Sequence, residues 1–326
     1  SSMAGGSSRM SWPFTRGLHD IGNGHYAYLQ PSGTWGYSNA GLVVDGEQSL
    51  LVDTLFDEAL TAQMLKVMKD ATGIGGAEVT TLINTHANGD HTFGNSLVTN
   101  AEIVASKASA EEMSEQPPTM LAEFVRQAPS MGDFGEYLLH CFAGFDFDGV
   151  TLKTPTKVFS GELDIAVGDK TVKLIEVGPA HTHGDVLAYV PDDGVVYTGD
   201  ILFVDGTPIM WAGPVRNWID ACNSIIDWAP DVVVPGHGPI TDPKGVAVMR
   251  DYLIYVDEQA RRRYDAGMSV EDAIFDISLT DYSAWDAPER IAVNVATLYR
   301  EYSGDDSEPD TQALFGLMAR LYKDRR

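Results

Sequence analysis

Positive charge, cysteine and long apolar runs are all scarce in this 326-residue chain, and each scarcity removes a class of function. Lys and Arg number 22 against 47 Asp and Glu, a formal net charge of -25. Binding to nucleic acid or to anionic lipid heads rests on Lys and Arg meeting phosphates. A surface this acidic repels both, so neither nucleic acid nor a membrane is an expected partner. Bound divalent cations would neutralise part of the excess, and scattered surface carboxylates account for the rest. With only two cysteines, Cys141 and Cys222, the chain can form at most one disulfide and cannot build a thiolate metal site from cysteine alone. Both read as buried thiols acting as small hydrophobes. No stretch approaches the run of about 20 apolar residues that spans a bilayer. The opening SSMAGGSSRM lacks an apolar core of signal-peptide length, so residues 1–16 read as an expression remnant running into a flexible start, with a cytoplasmic location expected. There is no repeat at a fixed period, which sets aside a solenoid.

What remains is the composition of an ordinary globular protein, 44% hydrophobic and 21% charged, long enough for one large domain with an appendage or for two medium ones. HYAYLQPSG and WGYSNAGLVV read as hairpin strands, closed by a turn at Asp45 and Gly46. SLLVDT is a strand that hands over to a helix carrying Leu60, Met64, Leu65, Val67 and Met68 at helical spacing. TTLINT and AEIVAS are further strands, the second followed by a helical SKASAEEM. Alternation of this kind argues α/β. Residues 114–150 break the rhythm with two prolines, a helical LAEFVRQA and Phe142, Phe145 and Phe147, and read as an insertion that could serve as a lid. Strands resume in TKVFSG, LDIAVGDKTVKLIEVG, DVLAYVPDDGVVYTGD and DVVVPGHG, with a helix over Trp218–Trp228 between the last two. From about Asp242 the pattern is helical throughout.

The chemistry concentrates in NTHANGDHTFGN, which places His86, Asp90 and His91 in a Gly-containing loop directly after an apolar strand. Imidazole nitrogen with a hard carboxylate oxygen is a donor set suited to Zn²⁺ or a similar first-row cation. Three more segments end apolar strands with candidate ligands: GPAHTHGD offers His181 and His183, VVYTGD offers Asp200, and VVVPGHG offers His237. Five of the eight histidines thus stand at strand ends beside small residues, where the backbone can turn sharply.

The ordered series HxxxDH, GPAHT, TGD and PGHG resembles the metallo-β-lactamase superfamily, and SLLVDT is similar to that family's strand ending in a supporting Asp, here Asp53. The resemblance covers roughly residues 17–241, leaving 242–326 as a C-terminal helical extension. It implies a four-layer αββα sandwich with a metal groove along one edge. It also implies a first metal held by His86, the residue at 88 and His181, and a second held by Asp90, His91 and His237, with Asp200 bridging. Position 88 departs from the family pattern, being Asn88 where His is expected. An amide oxygen is a poorer donor to a transition metal than imidazole, so the first site should bind more weakly. Asn88 could ligate weakly, the first site could stay empty, or His183 could compensate, since i and i+2 of an extended segment share a side. A loop His183 that bonds to backbone or meets substrate is the plainer alternative.

The expected cofactor is Zn²⁺, one or two ions, with iron or manganese as alternatives. The expected reaction is hydrolysis by a metal-bound hydroxide that Asp90 orients, on an ester, lactone, thioester or amide of a small to medium, partly apolar molecule; a β-lactam is a minority option. Where the first site stays empty, Asn88 or His183 could donate to the developing oxyanion. Alternatives are an iron-dependent oxidoreductase or dioxygenase on the same scaffold, and a catalytically weak metal- or ligand-binding protein. Asp53 suits an acceptor behind a ligand histidine. Trp35, Tyr37, Phe203 and Trp211 could line an apolar pocket or simply pack the core. Arg216 suits a surface ion pair better than a substrate carboxylate. His19, His25 and His140 suit surfaces or ordinary hydrogen bonds. Tyr252, Tyr255, Leu298 and Tyr299 of the extension could mediate a homo-oligomer or cover the sandwich.

Overall fold

The computed structural model describes residues 12–31 and 35–325. Most of the flexible start expected over residues 1–16, and the SG turn of the first expected hairpin, lie outside the described residues. Among the described residues, β1 (Gly17–Gly22), β2 (His25–Leu29), β3 (Ala40–Asp45), β4 (Gln48–Val52), β5 (Thr81–Ile83), β6 (Glu102–Ser106) and β7 (Lys157–Phe159) form a seven-stranded sheet in chain order. Its first four strands are antiparallel, and β4 to β7 run parallel. A five-stranded sheet follows in the order β12 (Val232–Val234), β11 (Val195–Tyr197), β10 (Val186–Val190), β9 (Lys170–Glu176), β8 (Glu162–Val167), with only β11 and β12 parallel.

Strand periodicity decides how the layers stack. Leu50, Val52, Ile83 and Val104 point into the space between the sheets and meet Val172, Leu174, Val186, Ala188 and Val234 of the second sheet. Their chain neighbours Leu51, Leu82 and Ile103 point outward. That outer face is covered by α1 (Glu58–Thr72), which buries Thr61, Met64, Leu65 and Met68. Asp57 caps it by accepting from Leu60 N at 2.8 Å, a cap of about 1 kcal/mol, and Gly73 closes it at φ 81. On the other side Leu187, Val196 and Val233 meet α5 (Val215–Trp228), whose Trp218, Ile219, Cys222 and Ile225 are the buried stripe. The result is the αββα sandwich expected from the sequence.

Between β6 and β7 lie α2 (Lys107–Glu115), α3 (Pro118–Gln127) and α4 (Gly132–Phe142). Phe142 and Phe147 of this insertion are buried, and Phe145 packs on Phe56 and Tyr37 with ring centroids 4.6 Å and 4.8 Å apart. All three rings are packed against neighbouring side chains. The chain ends in α6 (Pro243–Asp265), α7 (Val270–Asp276), α8 (Ile291–Ser303) and α9 (Thr311–Arg325), which continue the helical cover over the second sheet. Of the side chains suggested for self-association, Tyr252 and Leu298 are buried within the chain. Tyr255 and Tyr299 donate internally to Ser278 O and Met268 O. No helix among the described residues is long and apolar enough to cross a membrane.

Two local expectations differ. Strand β1 was not foreseen, because GLHDIG alternates weakly and lies at a sheet edge. WGYSN, expected as strand, turns instead: Asn39 N donates to Gly236 O at 2.8 Å and Asn39 Nδ2 to Gly238 O at 2.8 Å. Its polar groups bind the loop that carries His237 rather than a sheet neighbour.

Candidate metal centre

The functional side chains stand on the connections that leave β5, β9, β11 and β12. The loop after β5 is held closed by its first and last residues: Asn95 Nδ2 donates to Asn84 Oδ1 at 2.8 Å and Asn84 Nδ2 to Asn95 Oδ1 at 3.1 Å. The PGHG turn needs its first glycine, since a Cβ at Gly236 would run into the Asp200 carboxylate and the Gly199 backbone. Asp53, directly after β4, sits at φ 68, where a non-glycine residue costs roughly 1–2 kcal/mol. That bend aims its carboxylate back at Thr85 N (2.7 Å), Thr85 Oγ1 (2.7 Å) and His91 Nδ1 (2.9 Å).

These contacts fix the histidine tautomers. The Thr85 hydroxyl gives its hydrogen to Asp53, so His86 Nδ1, 2.9 Å from Thr85 Oγ1, must be the donor there. His181 Nδ1 faces the Ile209 carbonyl at 2.5 Å and His237 Nδ1 the Tyr37 carbonyl at 3.2 Å; a carbonyl only accepts, so both nitrogens carry hydrogen. His91 Nδ1 donates to Asp53. In the neutral form of all four rings the hydrogen lies outside, and Nε2 turns inward with its lone pair.

The inward atoms converge. Nε2 of His86, His181 and His237 each lies 3.3 Å from Asp200 Oδ2, and His91 Nε2 lies 3.0 Å from Asp200 Oδ1. Asp90 Oδ2 lies 3.2 Å from His237 Nε2 and 3.4 Å from His91 Nε2. Two overlapping groups result, Asp90, His91, Asp200 and His237, and His86, His181 and Asp200. A tetrahedral Zn²⁺ with bonds of about 2.0–2.2 Å spaces its ligands roughly 3.3–3.5 Å apart, so the donors stand at metal-ligand spacing. His86 Nε2, His91 Nε2 and Asp200 Oδ1 are buried and have no hydrogen-bond partner among the described residues. Imidazole nitrogens and carboxylate oxygens converging in a buried space fit a cation between them, with protons on the rings taking that place in the metal-free protein.

Electrostatics agree. Burial works against charge on His91, yet Asp200, Asp90 and Asp53 lift it well above the usual imidazole range. Burial likewise opposes charge on His237, and Asp200 and Asp90 lift it to about 9. His181 is raised against the same penalty, chiefly by Asp200. Burial would raise Asp200 and Asp90, but His237 and His91 pull Asp200 far down and His91 and His237 pull Asp90 down. A cluster that attracts protons this strongly attracts metal cations for the same reason. His237 and Asp90, 15% and 13% exposed, form its open side.

Of the residues expected here, the structure brings His86, Asp90, His91, His181, Asp200 and His237 into one cluster. Asn88 joins its edge, with Nδ2 3.0 Å from His181 Nε2. His183 stands apart, its exposed ring 3.0 Å from Glu112, because the Thr182–Asp185 turn points it outward. Phe203 stacks on the His237 ring at 5.1 Å and 5°, and meets the His181 ring edge-on at 5.7 Å. The Trp211 backbone donates to His181 O, and its ring stacks on Phe315. His25 is buried between Tyr197 and Asp193, His19 bonds to Thr15 O, and His140 lies against Tyr322. Arg216 pairs with Asp220. Cys141 and Cys222 are free and buried, and burial pushes both thiols up, Cys222 to about 12, which leaves them inert. Sequence reasoning missed Thr85, the Tyr37 carbonyl, and Ser38, whose hydroxyl donates to Asp90 O at 2.5 Å. Thr85 alone carried a signal, as the residue before His86.

The sequence model described as the metallo-beta-lactamase superfamily matches residues 33–237. No curated protein matches the chain. Among solved structures, the stereoselective inverting sec-alkylsulfatase Pisa1 from Pseudomonas sp. is similar at 15% identity and a TM-score of 0.67, over 92% of this chain and 52% of that one. The chain thus spans about half the length of the alkylsulfatase it matches. A metallo-beta-lactamase from Pontibacter korlensis is similar at 19% identity and a TM-score of 0.56, over 74% of this chain and 99% of that one.

Proposed function

Because the chain belongs to the metallo-β-lactamase superfamily, we propose that it is a metal-dependent hydrolase that cleaves an ester, lactone, thioester or amide bond of a small to medium, partly apolar substrate. The observation that carries this reading is the set of buried imidazole nitrogens and carboxylate oxygens converging at metal-ligand spacing beside an opening to solvent.

Asp90, His91, Asp200 and His237 would hold one cation, zinc by donor type, and His86, His181 and Asp200 with Asn88 a second. A divalent cation so held acidifies water and polarises a carbonyl oxygen. The residues of the chain do the remainder. Asp53, Thr85 and the Ile209 and Tyr37 carbonyls keep the four imidazoles in one tautomer. Asp90 stands at the open side with its carboxyl pulled below the usual range. It is therefore a weak base that accepts a hydrogen bond from the attacking water and aims its lone pair, rather than storing its proton. The Asn88 carboxamide carries both a donor and an acceptor, so it can meet a cation or the oxygen on which charge develops. Phe203, stacked on the His237 ring, would present an apolar side to an acyl or alkyl portion of the substrate, with Trp211 and Trp35 in the same apolar cluster behind it.

A second reading, cleavage of a sulfate ester, is favoured by one observation. The likeness to the alkylsulfatase covers 92% of the chain and so reaches into the helices beyond β12, whereas the likeness to the β-lactamase covers 74%. One experiment addresses both readings: turnover of aryl esters, a thioester, lactones, a chromogenic cephalosporin and a secondary alkyl sulfate, with chelator and after metal is restored. Chelator-sensitive turnover of a carboxylic ester, thioester or lactone is expected. Turnover confined to the sulfate selects the second reading, and no chelator-sensitive turnover on any substrate refutes both.

A further inference from the structure

The partnerless buried groups fall into two chemical kinds. At the histidine cluster they are acceptors. A second set is made of Trp35 Nε1, Thr207 Oγ1 and Arg290 Nε, which are donors with no acceptor among the described residues. The residues that carry them are in contact: the Arg290 guanidinium carbon lies 4.3 Å from the Trp35 ring centre, and Arg290 Nη1 donates to the Thr207 backbone carbonyl at 2.9 Å.

Arg290 is 5% exposed, and no carboxylate among the described residues pairs with it. Its chain neighbour Glu289 accepts from Tyr137 at 2.8 Å. Asp286 acts on the guanidinium only from beyond ion-pair distance, so burial of that charge is costly, and cation–π contact with Trp35 and Phe203 repays only part of that. The position matters as well. The Phe203 ring that faces Arg290 at 5.7 Å is the one stacked on His237, so the donors stand one ring away from the metal centre.

The geometry points to a carboxylate-binding subsite formed by Arg290, Trp35 and Thr207, which takes a carboxylate of the substrate set apart from the bond that is cleaved. Guanidinium N–H, indole N–H and hydroxyl are donors matched to carboxylate oxygens, and a guanidinium can engage both oxygens at once. An arginine with a free Nε and no contact ion pair can take an anion that arrives with the substrate. This inference rests on the hydrolase reading and names its substrate class.

The test compares two esters on the metal-loaded protein, 4-nitrophenyl butyrate and the mono-4-nitrophenyl ester of glutaric acid, together with calorimetric titration of glutarate. The wild type is expected to prefer the carboxylated ester in kcat/KM. Arg290→Gln should reduce the ratio between the two esters at least about ten-fold and weaken glutarate binding at least as much, since losing one partner of a buried charged pair has effects of that order or larger. Arg290→Lys, which keeps the charge but not the fork, should recover part of the ratio. A merely structural arginine would instead slow both esters alike and leave the ratio unmoved, which overturns the proposal. Should Arg290→Gln fail to fold, Thr207→Val decides, with weaker glutarate binding expected and unchanged binding overturning it. Absence of turnover on either ester counts against the hydrolase reading, whereas the dependence of glutarate binding on Arg290 and Thr207 judges the subsite separately.

Discussion

Replacing Asp53 by Asn asks whether the histidines are set from behind. The Asp53 carboxylate accepts from Thr85 N at 2.7 Å, Thr85 Oγ1 at 2.7 Å and His91 Nδ1 at 2.9 Å, the last two at the same oxygen, Oδ2. An amide of the same shape has one acceptor atom. If its nitrogen takes the place of Oδ2, it faces two donors, and His91 is driven to move its hydrogen to Nε2, where the cluster needs a lone pair. If it takes the place of Oδ1, the buried Thr85 N–H is left without a partner. An unsatisfied buried donor costs about 1–3 kcal/mol, so the metal-free protein should melt earlier. Loss of the acceptor behind a metal-binding histidine lowers metal affinity about 10–100-fold, which is about 1.4–2.7 kcal/mol. Asn tolerates the left-handed φ of position 53, so the backbone adds little to either effect. The assay is Zn²⁺ competition against a chelating dye, with thermal melting of the metal-free protein alongside. A folded Asp53→Asn protein that binds Zn²⁺ as tightly as wild type would refute the reasoning.

Asn88→His should raise the metal content per chain, because imidazole replaces an amide 3.0 Å from His181 Nε2; mass-spectrometric metal analysis checks it, and unchanged content contradicts it. Metal uptake should depend on pH in a definite direction. His237 held near 9, with His91 and His181 also raised, keeps protons on the metal-free cluster at neutral pH, and a cation must expel them. Affinity therefore falls as pH drops below about 9, and titration at pH 7 in buffers of different ionisation enthalpy should register proton release. Equal heats in both buffers would contradict it.

Much of the centre was legible because ligands announce themselves by type and place. His86, His91, His181, Asp200 and His237 each follow an apolar strand, and strand ends in a sandwich of this kind lie along one edge. Asn88 was legible as a departure, but its contact with His181 was not, since which way an amide points depends on packing. His183 shows the limit of spacing arguments. Two residues on in an extended segment would share the side of His181, but Thr182 and Asp185 bond to each other and turn the chain, so the ring leaves the site. The stretch Trp35–Asn39 failed for a related reason: its apolar and small residues suit a strand, whereas its polar groups are committed to residues about 200 positions later. Local pattern cannot register such a bond. The unpaired state of Arg290 was hidden in the same way, because Glu289 beside it and Asp286 before it suggest ion pairs on sequence alone.

The division of labour between the two parts of the chain follows from where these groups lie. The family match ends at residue 237, at the last histidine of the centre, so both metal-ligating groups found among the described residues lie within it. The helices beyond contribute no ligand, yet they bury Met249, Tyr252 and Val256 against the second sheet and bring Arg290 and Phe315 up to Trp35. The metal-facing groups are therefore carried by the matched segment, whereas the proposed subsite joins Trp35 and Thr207 of that segment to Arg290 of the helical extension, with Phe203 between the two. On this reading a substitution at Arg290 or Phe315 can change which substrate is taken without disturbing a single metal-facing atom. The same separation allows the cluster around Asp200 to keep one chemistry while the helical cover changes the molecule to which it is applied.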